Sequence, residues 1–262
     1  NSYNTVLDTG TLPVFGTRQV TITTNADFSA TGNYTLKTFT AITADPNAFN
    51  DTTTSTVVNL PVSVGNLTED FETFSAGAPG LFTNNWTRTN TTNARGWHVR
   101  IGNTPNGGTG PVGNNTQGGV RYVYLESSTT TAGEEFELAS PCVDVSGNLA
   151  PKLKFFYQMD GPDIGTLDAL VRTGSSETNI FSISGPQQSG SNIAFDSVLI
   201  DLLPFKNNVF QVVFKVTTAG GNLGDIAIDD INIFEPPAVD VQLGAILSPE
   251  SSCGLTATEN VI

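Results

Sequence analysis

The chain has 262 residues, 38% of them hydrophobic and only 14% charged, with 25 acids against 11 bases and a formal net charge of −14. That apolar share can fill a buried core and is too rich for a disordered tail. The negative charge excludes the basic face that nucleic-acid phosphates or an anionic membrane surface require.

No apolar run is long enough to span a bilayer as a helix. Helical periodicity is almost absent, and alternation with period two is widespread. In chain order, Gln19–Thr23 and Tyr34–Thr43 read as Thr-rich strands. Val120, Tyr122, Tyr124 and Glu126 share one face of a further strand. Leu153, Phe155, Tyr157 and Met159 alternate with Lys152, Lys154, Phe156 and Gln158. Phe210, Val212, Phe214 and Val216 do the same against Gln211, Val213, Lys215 and Thr217. Ile226, Ile228, Ile231 and Ile233 mark another strand, and Val239–Leu247 a last one. Gly, Asn, Pro and Ser clusters separate them, the punctuation of hairpins and loops. The fold class is therefore all-β, a sandwich or barrel.

Composition divides the chain into three. Residues 1–64 are Thr-rich. Residues 65–235 hold Trp86, Trp97, His98 and most aromatics. Pro236-Pro237 then interrupts, and 236–262 is too short to bury a core of its own. The start at polar Asn1, with no initiator Met and no leader pattern, reads as a processed chain or a window from a longer one. Cys142 and Cys253 could pair with each other, with partners elsewhere, or not at all; with one His, no metal-type Cys/His spacing exists.

The central segment carries an ordered series of motifs. Asp70-Phe71-Glu72 opens it, followed by Trp86, Trp97 and the stretch Asn103 to Pro111. Then come Tyr122-Val123-Tyr124-Leu125-Glu126-Ser127-Ser128, Leu138-Ala139-Ser140-Pro141, Leu153 to Gly161, Gly165-Thr166-Leu167 and Gly224-Asp225-Ile226-Ala227-Ile228-Asp229-Asp230-Ile231. In this order the segment resembles the MAM family. The resemblance implies a jelly-roll β-sandwich and a role in adhesion or assembly without catalytic residues. In bacteria such domains look like modules of large secreted or cell-surface proteins. Two departures stand out: Asn114-Asn115-Thr116 replaces the Asp-His-Thr of many members, and the disulfide framework of the animal domains is missing.

The flanks are similar to CARDB-type immunoglobulin-like repeats. Gly32 to Leu36 with Asp45 to Thr52 looks like the end of one, and Val239 to Leu243 with Ser252 to Thr256 like the start of another. The expected organisation is thus the C-terminal part of an immunoglobulin-like repeat (1–64), a MAM-like jelly roll (65–235) and the start of a following repeat (236–262).

The acids are the candidate site. On a strand, Asp70 and Glu72 would point the same way, and Asp229 and Asp230 interrupt an otherwise apolar strand. Carboxylates beside a core need a partner. With 11 bases in the chain, a hard cation is the simpler one, since Ca²⁺ takes six to eight oxygens. Jelly rolls of the resembled kind often tie first and last strands with Ca²⁺. The expectation is a structural Ca²⁺ on Glu72 and Asp229, with Asp70, Glu126 and Asp230 as helpers. The competing reading is that these acids cap turns or accept backbone N–H groups.

Enzymatic readings lack parts. His98 has no G-x-S-x-G elbow to serve, and zinc lacks ligands. The Gly-rich stretch from Asn103 to Gly119 has neither the Lys nor the following helix of a phosphate cradle, and reads as a long surface loop. The expected function is a non-catalytic adhesion or assembly module of a long secreted bacterial cell-surface or filament-forming protein. Its partners would be a protein or glycan at a cell surface, or neighbouring copies of itself. The alternatives are an accessory domain of a secreted protease, or a carbohydrate-binding module using Trp86 and Trp97 as stacking platforms; family positions favour the core for both Trp.

Overall fold

The computed structural model describes residues 16–19, 21, 26–40, 49, 51–115 and 118–237. The expected strand Val239–Leu247, most of Gln19–Thr23, and Cys253 lie outside the described residues.

Two antiparallel sheets face each other. The first runs in spatial order β13 (Asp196–Asp201), β10 (Lys152–Gln158), β15 (Ile226–Phe234), β7 (Arg121–Glu126), β6 (Gly96–Ile101), and β4 (Leu67–Glu69) pairs with the last part of β15. The second runs β12 (Ser176–Ser184), β11 (Thr166–Thr173), β14 (Val209–Thr217), β8 (Glu135–Ala139), β5 (Thr87–Arg88). At the other end of β14, β9 (Cys142–Asp144) pairs antiparallel, and β3 (Val62–Val64) runs parallel to β9. The sandwich thus recruits Val62–Val64 from the segment that composition assigns to 1–64. The chain crosses between sheets at most connections, the trait of a jelly roll. Among the described residues there is no α-helix, and no helix long and apolar enough to cross a membrane.

The alternating patterns explain the core. Leu153 and Phe155 of β10 and Phe210, Val212, Phe214 and Val216 of β14 are all 1% exposed or less, and they meet between the sheets. The Phe155 and Phe214 rings pack edge-on at 4.9 Å, a geometry aromatic quadrupoles favour. Each such side chain removed from water contributes about 1.5–3 kcal/mol. Trp86 and Trp97 belong to the same core.

A separate ladder joins β1 (Gly32–Phe39) to β2 (Thr52–Asn59) in full antiparallel register. The sequence pattern anticipates β1 but not β2, whose Thr-Thr-Thr-Ser-Thr start shows no apolar alternation.

The outward face of the first sheet is also buried. Tyr122, Tyr124 and His98 are 0–2% exposed. Phe195 packs against Tyr122 and Tyr124, His98 meets Thr92 O, and the Gly-rich segment 102–115 is held beside them by Tyr122 OH donating to Gly102 O (2.7 Å), Gly110 N–H to Asp160 O (2.9 Å) and Val112 N–H to Ser191 O (3.0 Å). The stretch is a loop, as expected, but Thr104 and residues 109–111 are buried, so it packs as a flap on the sheet. Of its glycines Gly110 is the tight one: an added Cβ would collide with the Thr104 side chain and stand 3.2 Å from Asp225 Cβ.

Candidate functional site

Strand β4 stops at Glu69, so Asp70-Phe71-Glu72 is a turn and not a strand. This corrects the expectation that Asp70 and Glu72 project side by side. Asp70 Oδ1 accepts the N–H of Glu72 (3.1 Å), and Phe71 adopts a left-handed φ of 58°. The turn drives the fully buried Phe71 ring between Phe74 and Trp86, at 5.2 and 5.6 Å. Glu72 is left at the rim. Its Oε1 accepts the N–H groups of Val120 and Arg121, both at 2.7 Å, while the Arg121 guanidinium reaches Oε2 at 3.4 Å. Gly119 makes this approach possible: a Cβ there would collide with Glu72 Oε1 and stand 3.0 Å from Asn114 Nδ2.

Asp229 and Asp230 sit on a bulge. Lys154 pairs with Asn232 but Phe156 with Asp229, so β15 holds one residue more than β10 across this step. Asp230 takes a φ of 48° to absorb it. A regular strand would send neighbouring side chains to opposite faces. Here both turn toward the flap: Asn115 N–H donates to Asp229 Oδ2 (2.8 Å), and Asn115 Nδ2 donates to Asp230 Oδ2 (2.6 Å). Asp229 is fully buried and its Oδ1 also accepts the Asp230 N–H (2.9 Å). Asn115 thus contacts Asp229 and Asp230, and Val120 and Arg121 contact Glu72.

Glu126 does not join them. It lies at the far end of β7 from Arg121, about 16 Å along the strand at roughly 3.3 Å per residue, beside Asp225. Asp70 spends an oxygen on its own turn. Among the described residues no three Asp, Glu, His or Cys side chains form a ready ion shell. What the contacts bring together is the carboxylates of Asp229 and Asp230 around the Asn115 N–H and amide nitrogen, with Glu72 and the Asn114 amide nitrogen both against Gly119. The hard carboxylate oxygens fit a cation such as Ca²⁺ only if backbone oxygens or water complete the shell.

Among the buried polar side chains that escaped the sequence reading are Glu69, Asp225 and Gln158. Glu69 is 5% exposed, with Oε1 accepting the Phe71 N–H (2.9 Å) and Oε2 the Asn84 amide (3.1 Å); burial pushes its carboxyl up. Asp225 and Gln158 are fully buried on the outward face of the first sheet. For Asp225 the signal was present, an acid directly preceding an apolar strand; for Gln158 nothing local marked it.

His98 is 1% exposed, its Nε2 donates to Thr92 O (2.8 Å), and burial depresses its pKa. Its ring packs edge-on against Tyr124 at 5.7 Å. It is a neutral structural imidazole with its polar edge turned to the backbone.

The family model described as MAM domain, meprin/A5/mu, matches residues 70–237. Zebrafish (Danio rerio) neuropilin-1a is 33% identical over 144 residues, 53% of this chain and 15% of that protein. Human MAM domain-containing protein 2 is 30% identical over 151 residues, 57% of this chain and 21% of that protein. The match thus spans about a fifth or less of these relatives' length. Among solved structures, the K1 cleaved adhesin domain of Lys-gingipain from Porphyromonas gingivalis is similar with a TM-score of 0.44 and 17% identity, over 66% of this chain and 99% of that one. The family 11 carbohydrate-binding module from Clostridium thermocellum is similar with a TM-score of 0.35 and 13% identity, over 66% of this chain and 97% of that one.

Proposed function

The chain belongs to the MAM family, and on that premise we propose that it is a non-catalytic adhesion or assembly module of a long secreted bacterial cell-surface or filament-forming protein, stabilised by Ca²⁺. The observation that carries the adhesive reading over glycan binding is the burial of both Trp, 4% exposed for Trp86 and 0% for Trp97. A sugar stacks on an open ring face, and these faces are spent on the core. Contact then falls to the Thr-, Asn- and Ser-rich surface, which suits hydrogen bonding to another protein or another copy.

The ion we propose is held by Glu72 and Asp229, with Asp230 and the amide oxygens of Asn114 and Asn115 assisting. When bound, it would neutralise carboxylates and tie the turn after β4 to the bulge of β15. Asn114 offers a neutral oxygen in place of a carboxylate, which favours a structural ion over a regulatory one.

Two measurements test this. Beads coated with the protein should aggregate or bind cells without consuming a substrate, and a glycan array should stay blank. Glycan binding lost on Trp86→Ala in a folded protein would overturn the adhesive reading. Adding Ca²⁺ to chelator-treated protein should raise the melting temperature and release heat in a calorimeter; no shift and no heat would remove the ion.

A further inference from the structure

A second polar cluster lies beneath the flap, at the opposite end of β7 from Glu72. Leu125 pairs with Ile226, so Asp225 extends the ladder to face Glu126. Both acids are buried, 0% and 5% exposed, and neither has an ion-pair partner among the described residues. Glu126 Oε1 accepts the Ser128 N–H (3.0 Å) and Oε2 accepts the Tyr124 hydroxyl (3.1 Å). Asp225 Oδ1 accepts the Ser127 N–H (3.0 Å); the Ser127 and Thr104 hydroxyls also lie against this carboxyl, and no well-aligned hydrogen bond reaches its enclosed Oδ2.

Gln158 makes the independent case. It is fully buried on β10, and neither its Oε1 nor its Nε2 has a hydrogen-bond partner. It stands opposite Ala227, whose side chain is small, and Asp225, just before β15, lies two residues away on the same side of the chain. From above, Thr104 and Asp225 flank Gly110: a Cβ there would stand 2.9 Å from Thr104 Oγ1 and 3.2 Å from Asp225 Cβ. Thr104 donates its hydroxyl hydrogen to Thr109 O (2.7 Å), so lone pairs remain for the pocket. Buried polar atoms are nearly always satisfied. Gln158 Oε1, Gln158 Nε2 and Asp225 Oδ2 are thus enclosed without a hydrogen bond on the same side of the sheet as the Glu126 carboxylate.

We propose that Asp225, Glu126 and Gln158, capped by Thr104, form a site for one hard divalent cation, Ca²⁺ by its donor chemistry, that locks the Gly-rich flap onto the sheet. Asp225 Oδ2, Glu126 and Gln158 Oε1 supply oxygens, and a water on the ion accepts from Gln158 Nε2. The flap is already tied here, since Asp225 N–H donates to Thr109 Oγ1 (2.8 Å) and Asn106 Nδ2 to Asn222 O (2.7 Å). The site is separate from the Glu72–Asp229 set, and either can exist without the other.

Equilibrium dialysis of chelator-treated protein against Ca²⁺ at pH 8 decides it. Asp225→Asn should bind one ion fewer per chain than the unmodified protein, Gln158→Met should bind that ion at least tenfold more weakly, and Asp229→Asn should keep it. An ion that Asp229→Asn removes and Asp225→Asn keeps, with no other bound, overturns this proposal and leaves the Glu72–Asp229 reading standing. The reverse pattern supports this site and sinks the other; no bound ion at all sinks both. If Asp225→Asn fails to fold by circular dichroism, Tyr124→Phe replaces it. Terbium emission sensitised through tyrosine should fall at least twofold in that variant, because Tyr124 touches Glu126; unchanged emission overturns the proposal.

Discussion

Arg88 and Trp97 join the two sheets at their shared edge: the Arg88 guanidinium, on β5 of the second sheet, donates to the backbone carbonyl of Trp97, on β6 of the first, at 3.0 Å. The same guanidinium donates to Pro79 O (3.0 Å) and Gly80 O (2.9 Å) and lies 4.2 Å over the Phe82 ring. Trp97 returns the tie, its Nε1–H donating to Phe136 O of β8 at 3.2 Å. A planar fork serves three carbonyls where an ammonium serves fewer in different directions. Arg88→Lys should therefore lower stability by about 2 kcal/mol, read from urea unfolding. A loss within error of zero would show that the fork is incidental.

Glu72 should matter through its oxygens even without an ion. In chelator, Glu72→Ala leaves the Val120 and Arg121 N–H groups without their acceptor, a cost of about 1–3 kcal/mol. Glu72→Gln keeps an amide oxygen for both and should lose less than half as much. Equal losses in the two variants would contradict the N–H account and assign the effect to charge.

His98 gives an acid limb to the stability profile. Burial lowers its folded-state pKa below the unfolded value near 6.5. The folded state thus binds fewer protons, and the neutral ring's contribution is complete above pH 6.5 and lost as pH falls from there toward the depressed folded value. Between pH 8 and pH 5 the unmodified protein should lose more stability than His98→Gln, which keeps a donor for Thr92 O but does not titrate. Parallel losses would mean that His98 is already protonated in the fold.

Gly161 ends the β10 segment at a φ of 138°, and a Cβ there would collide with the Leu223 carbonyl oxygen. Gly161→Ala should cost about 3 kcal/mol or more. Gly107, in the flap, has nothing within 4 Å of the same added atom, so Gly107→Ala should change stability by less than about 0.5 kcal/mol. Paired melting curves check both, and a tolerated Gly161→Ala would show that the β10 turn can move.

Much of the architecture was legible because strand alternation is a local signal. Leu153 with Phe155, and Phe210 through Val216, wrote the core faces directly into the chain. The spacing of Ile226, Ile228, Ile231 and Ile233 even held the bulge: the step from 228 to 231 breaks the period of two, and that break turns Asp229 and Asp230 toward the flap together. Asp70 and Glu72 misled for a related reason. Two residues apart implies one face only where the strand continues, and here it stops at Glu69.

The sequence by itself determined an all-β core and the MAM family resemblance, because composition, alternation and motif order need no knowledge of neighbours. Only the tertiary structure decided which acids meet. Glu126 parts from Glu72 because they meet opposite ends of β7, and it joins Asp225 because Leu125 pairs with Ile226. Arg88 reaches Trp97 because β5 and β6 lie in different sheets at one edge. Register and sheet order are long-range properties, set by how two sheets bury their faces against each other, and no window of the chain contains them.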